Sequence, residues 1–173
     1  MTGGALPPLA AAQPQALRSL KLDGIKLSWS ARGEEELPTW LSARLDIDSQ
    51  GRAGGRVVEL SQKQDGADED GDPAGLDAQV YETADATLKD VRLSERAFTF
   101  TVIYDGPRHG EIAFVGRLDE AATPMWEINA LGRGADGASS ARNRFPLWSE
   151  LKDGALEIYD DTEAPDPQAS QEL

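Results

Sequence analysis

Cysteine is absent from the 173-residue chain, and histidine occurs once, at position 109. The first absence rules out disulfides, thiolate nucleophiles and cysteine-ligated metals. The second leaves one imidazole for any histidine chemistry. A Ser-His-Asp triad would have to use His109, and no serine stands in a nucleophile-elbow context. Histidine metal sites draw on several nitrogen or sulfur ligands, and only one such side chain exists. No apolar run approaches the length of a membrane-spanning helix. Basic residues are few: 17 Lys and Arg against 31 Asp and Glu give a net charge of −14, opposite to the basic surface that phosphate backbones select. We expect no nucleic-acid partner, no membrane span and no cofactor. Helical periodicity is missing too, since no window of helical length carries an apolar stripe at 3.6 spacing.

The acidity that remains is uneven. Asp65–Asp72 (DGADEDGD) holds five acids and no base, and Glu150–Leu173 holds eight acids and one base. These two segments carry −12 of the −14. The folded body is therefore nearly neutral, and the charge belongs to one loop and one tail. Residues 1–19 form a Gly/Ala/Pro-rich lead, and 160–173 an acidic, Pro-containing tail; both are expected to be disordered. Within the lead, Ala5–Ala12 (ALPPLAAA) reads either as such a lead or as the end of an export signal without its basic start. The first reading favours the cytoplasm and the second the periplasm.

What is present is a period of two. After a short amphipathic piece at Ala16–Leu22, the stretch from Gly24 sets Ile25, Leu27 and Trp29 on one face against Lys26, Ser28 and Ser30. Arg32–Glu36 turns the chain. Leu41, Ala43, Leu45 and Ile47 alternate within Thr39–Asp48, where Trp40 has the wrong parity and marks either a bulge or the far face. Ser49–Gly55 reads as a hairpin turn into Arg56–Lys63. Strand character returns at Ala78–Thr83 and at Ala86–Leu93, where a parity change predicts a bulge near Asp90. Phe98–Tyr104 is the strongest strand, rich in β-branched and aromatic residues. Asp105–Gly110 is a loop, Glu111–Leu118 the returning strand and Met125–Leu131 the next. A Gly/Ala/Ser loop is expected at Gly132–Asn143, followed by strands at Arg144–Trp148 and Ala155–Tyr159. The pattern predicts one all-β domain over residues 20–159: an antiparallel up-and-down meander of about eight to ten strands, closed as a barrel or packed as a sandwich.

Two stretches resemble the lipocalin-like (calycin-type) barrel domains common in bacterial proteins. In Trp40–Leu60, a Trp near a strand start leads through alternating apolar residues to a Gly-rich turn and a Val-rich return. In Ala86–Ile128, ATLKDVRLSERAFTFTVIY precedes GEIAFVGRLDE and MWEI. The Gly-x-Trp signature of that group is not present, since Lys26-Leu27-Ser28 precedes Trp29. The resemblance implies a barrel that holds a small apolar ligand.

Candidate sites follow from these placements. Trp40, Phe98, Phe100, Tyr104, Phe114 and Trp126 are the aromatic residues that would line a barrel pocket. Their ordinary role is core packing, and Trp40 is the one whose parity sets it apart. The acids of 65–72 have the oxygen content of a calcium loop but miss the EF-hand spacing in every register. Asp105, Glu111 and Glu127 lie on or beside predicted strands, where a carboxylate pair depends on facing. Arg133, Arg142 and Arg144 stand among Gly and Ser with the composition of an anion-binding loop. The resulting expectation is a non-enzymatic barrel that binds a small apolar or amphiphilic ligand. The alternative is an interaction module whose acidic loop and tail contact a basic protein partner.

Overall fold

The computed structural model describes residues 17–31, 34–35, 38–62, 76–104, 110–120, 125–134 and 137–160. These form strands Ser19–Ala31 (β1), Glu34–Glu35 (β2), Thr39–Ile47 (β3), Ala53–Gln62 (β4), Leu76–Glu82 (β5) and Leu88–Leu93 (β6). The second half adds Ala97–Tyr104 (β7), Gly110–Asp119 (β8), Met125–Gly134 (β9), Gly137–Asn143 (β10), Leu147–Lys152 (β11) and Ala155–Asp160 (β12). The Ala/Pro lead through residue 16, the acidic stretch 65–72, the Asp105–His109 part of the loop and the tail from residue 161 lie outside the described residues.

The fold is an all-β barrel. Its centre is a hydrogen-bonded ring in which β1 pairs with β12, β12 with β11, β11 with β9, β9 with β10, and β10 with β1. Two wings extend the sheet, β3-β4-β5 from β1 and β8-β7-β6 from β9. Each wing is a meander of antiparallel neighbours. The ring itself departs from a meander: β12 lies parallel to β1, with Leu20 opposite Leu156 and Leu22 opposite Ile158. The strand count exceeds the expectation because β2, within the predicted turn, adds two residues to the edge of β1 and because β10 is a strand.

Two long strands make the ring possible, and each changes partner along one edge. The first half of β1 pairs with β12 and the second half with β10. Between them Gly24 adopts a left-handed φ of 59°, which glycine reaches without a Cβ penalty. The register against β3 shifts there, between Leu22 and Ile25. Backbone donors around this bulge find side chains instead of the ladder. Gly24 N–H donates to Ser42 Oγ at 2.9 Å and Lys26 N–H to Asp160 Oδ2 at 3.3 Å. The bulge also flips parity, so Leu20 and Leu22 before it and Ile25, Leu27 and Trp29 after it all face inward. This corrects the expected amphipathic piece at Ala16–Leu22. It is the first half of β1, and its alternation looks broken only because one extra residue sits in the strand. Leu17, expected in the lead, is already buried, and Arg18 N–H donates to the Gly154 carbonyl at 2.7 Å.

On the other side of the ring, β9 pairs with β10 through Asn129 and with β11 at Trp126. Asn143 bridges the gap. Its Oδ1 accepts from Ile128 N–H at 2.9 Å, and its Nδ2 donates to the Phe145 carbonyl at 2.8 Å. The loop expected at Gly132–Asn143 is thus a hairpin of β9 and β10, with Gly137 opposite Gly134. Small residues hid it, because Gly, Ala and Ser have low strand propensity and form a strand here only through pairing on both sides. The predicted bulge near Asp90 is present: the β6–β7 register shifts between Lys89 and Arg92, and Asp90 has φ 56°.

One core fills the barrel. Phe98, Phe100 and Phe114 are fully buried with Leu20, Ile25, Leu27, Leu41, Leu45 and Ile128. Phe98 lies directly opposite Gly116 on β8, and a Cβ added at Gly116 would fall inside its ring. We expect Gly116→Ala to cost about 1–3 kcal/mol by overpacking, read as a lower midpoint in urea; an unchanged midpoint would show that the ring has room. Asn143→Ala removes a bridge that holds two strands to β9. It should cost about 1–3 kcal/mol through the unpaired Ile128 N–H, again by denaturant titration.

Candidate functional site

Alternation along each strand decides which side chains enter the barrel. Phe98, Phe100 and Val102 of β7, Phe114 of β8 and Trp126, Ile128 and Ala130 of β9 point inward. Four of the aromatic residues expected to line a pocket come together there, as packing. The Phe98 and Phe100 rings stack at 5.8 Å, Phe100 and Phe114 at 4.9 Å, and Phe98 meets Trp126 at 5.7 Å and 33°. Such pairs contribute about 0.5–1.5 kcal/mol each beyond their buried area. Tyr104 is half-buried at the end of β7, its hydroxyl close against Gly110. Trp40 does not join them. Its parity sends it through the wall to the outer face, opposite Leu60 on β4 and Lys26 on β1. The Lys26 Nζ sits 5.9 Å from the Trp40 ring and 5.6 Å from Phe145, a cation between two aromatic faces.

The same alternation builds a different feature outside. Where Phe114 and Gly116 point in, Ala113 and Val115 point out. Glu127, Asn129 and Leu131 do so on β9, Ser140 and Arg142 on β10, and Ser28 and Ser30 on β1. Strand register lines them up in two rows, Ala113–Leu131–Ser140–Ser30 and Val115–Asn129–Arg142–Ser28. The curled sheet makes these rows the floor of an open groove of about 1080 Å³, with Arg144 at its border. Ala113 and Val115 are half-buried although they face outward, while Leu131 is 44% exposed. The apolar end therefore lies on β8 and β9, and the hydroxyls and guanidinium on β10 and β1. Asn129 Nδ2 donates to Glu127 Oε1 at 3.2 Å. The lining thus holds two arginines, Arg142 and Arg144, and one acid, Glu127.

Of the three arginines noted in the sequence, Arg142 and Arg144 line this groove, and Arg133 lies one row beyond, opposite Glu111. Glu111 pairs with Lys89 at 3.3 Å. Glu111 and Glu127 lie six positions apart on paired strands, beside Arg133 and Arg117 respectively, and do not face each other. Sequence reading missed Ser28, Asn129, Leu131 and Ser140. Leu131 carried the one available signal, an apolar residue at outward parity on a strong strand.

A second polar feature lies inside. Glu59 of β4 points inward beside Leu41 and Gln79 and is 9% exposed. Its Oε1 has no hydrogen-bond partner among the described residues, and the same holds for Trp126 Nε1. Burial pushes the Glu59 carboxyl up from its ordinary 4.5 to about 7. Tyr81 is pushed up by its own burial, with further contributions from Glu59 and Tyr104. Among the described residues no cluster of three His, Asp or Glu is placed to hold a metal, and no helix is long and apolar enough to cross a membrane. No protein-family model, curated protein or solved structure matches this chain.

The Glu59 shift has a defined sign. Its folded pKa is raised, so the folded state holds a proton that the unfolded state releases between about 4.5 and 7. Stability should fall by about 3 kcal/mol across that window and then level off. Glu59→Gln should match the wild type near pH 4.5 and exceed it by up to that amount at pH 8, measured by chemical denaturation at both pH values. An equal difference at the two pH values would mean that the carboxylate is solvated.

Proposed function

We propose that this protein is a non-enzymatic β-barrel that binds a small amphiphilic ligand on its outer face, in the groove of β8, β9, β10 and β1. The observation that carries this reading is the pairing of inward aromatic residues stacked on one another with an open exterior groove. The stacked rings of Phe98, Phe100 and Phe114 leave the interior to side chains. The groove combines an apolar floor at Ala113, Val115 and Leu131 with Ser28, Ser140 and Arg142. That combination suits a ligand with an apolar body and an acidic or hydroxylated head. The reading keeps the binding role implied by the lipocalin-like resemblance and moves it from the inside of the wall to the outside. The alternative, a basic partner on the acidic loop and tail, falls on residues 65–72 and 161–173, outside those described.

Dodecanoate and dodecyl phosphate, both below their micelle concentrations, serve as probes. Amide chemical shifts in a titration should move at Asn129, Leu131 and Arg142 and stay still at Phe98 and Phe100. Leu131→Asp and Arg142→Glu, both at exposed positions, should each weaken binding about tenfold or more while leaving the fold intact. Shifts confined to the aromatic core would return the site to the barrel interior, and no shift with either probe would remove the amphiphile reading.

A further inference from the structure

The two outermost strands of the sheet are finished differently. β6 closes one end with a bulge: Asp90 holds φ 56°, the register slips beside it, and the exposed Lys89 and Arg92 flank it. Bulges and charged side chains are the usual protections of a sheet edge. β5 closes the other end without a bulge, and its two charges, Asp77 and Glu82, stand near its ends. Its one strand neighbour among the described residues is β4, paired without interruption from Arg56–Glu82 to Gln62–Leu76. The four residues Asp77–Val80 are all exposed, on both faces of the strand, and Val80 is 42% exposed. A flat strand that buries neither face along these residues and contains no proline, lysine or bulge is a ready template for another strand.

We propose that β5 pairs with β5 of a second copy of this chain, antiparallel across a two-fold axis, so that the two sheets become one. The strand is complementary to itself. A two-fold axis normal to the sheet keeps each residue on its own face, so a residue meets only positions an even number of places away. The strand's two acids, Asp77 and Glu82, have opposite parity, and no register centred within Ala78–Tyr81 sets acid against acid. Glu82 stays out of the join, since its N–H donates to Thr87 Oγ1 at 2.8 Å and its carbonyl accepts from Thr87 N–H. Centred on Gln79, the five residues Asp77–Tyr81 pair, and Val80 of each copy meets Ala78 of the other. Val58 and Leu60 already lie opposite Val80 and Ala78 on β4. The join therefore extends an apolar row from one β4 to the other. Cross-strand apolar pairs of this kind are the unit of sheet stabilisation.

Opposing this is charge. Each copy carries −14, and the five acids of 65–72 lie four to eleven residues before Leu76 along the chain. A five-residue join is also at the small end of specific interfaces. The dimer is therefore weak, concentration-dependent and strengthened by salt, since screening removes repulsion and leaves the strand pairing intact. Sedimentation velocity of the full chain between about 5 and 500 µM tests this. The weight-average mass should rise from 18.6 kDa towards twice that value. The dissociation constant should fall about tenfold between 50 mM and 500 mM NaCl. Val80→Lys, and the double variant with Ala78→Lys, should stay monomeric throughout with an unchanged far-UV spectrum. A wild type that is monomeric at 500 µM in both salts overturns the proposal, as does a dimer that the lysine variants leave unaltered. Neither result bears on the groove of β8, β9, β10 and β1, to which β5 contributes no residue.

Discussion

Closure of the central ring is the constraint from which the rest of the structure follows. Two long strands, β1 and β9, are too far apart to pair with each other. They are joined at one end by β10 and at the other by the β11–β12 hairpin. Each must change partner partway along one edge, and at that point the ladder leaves backbone groups without a strand to bond. The protein meets this with three side chains. Ser42 and Asp160 accept the donors around the Gly24 bulge, and Asn143 stands in for the missing strand between β10 and β11. An unpaired backbone donor in such a position costs about as much as several ordinary surface contacts contribute. These small polar residues thus matter more to closure than their exposure suggests.

Beside the ring, the aromatic residues pack on the inner face of the sheet. The stack from Trp126 through Phe98 and Phe100 to Phe114 spans β7, β8 and β9, and Gly116 gives up its side chain to make room. The proposed binding site lies on the other side of this wall. The wall that carries the stack on its inner side carries the groove on its outer side, so the groove floor is backed by the most rigid part of the core. Preorganised polar groups on such a floor lose little entropy when a ligand arrives. Glu59 sits apart from the stack, a buried carboxyl with an incompletely bonded oxygen whose raised pKa couples the stability of the fold to pH.

Most strands were legible because alternation is a local signal. Phe98–Tyr104 and Glu111–Leu118 needed nothing beyond their own residues, and the Asp90 bulge announced itself as a parity change between Leu88 and Val91. The strand at Gly137–Asn143 was illegible for the converse reason: its residues have no preference of their own, and neighbours on both edges impose the conformation. The candidate site was less legible still. Its two rows draw one residue from each of β8, β9, β10 and β1, whose adjacency depends on ring closure. The arginines at 142 and 144 were visible as chemistry but not as a place.

By itself the sequence determined the all-β class, the residues that face inward on most strands, the displaced parity of Trp40 and the confinement of charge to a loop and a tail. These follow from period-two geometry and composition, which act over a few residues. Tertiary structure alone decided that β1 and β12 run parallel, that small residues form β10, that the aromatic residues fill the interior and that the groove lies outside. Each of these depends on which distant strands share an edge, and strand pairing is set by the free energy of closing the whole barrel rather than by any one segment.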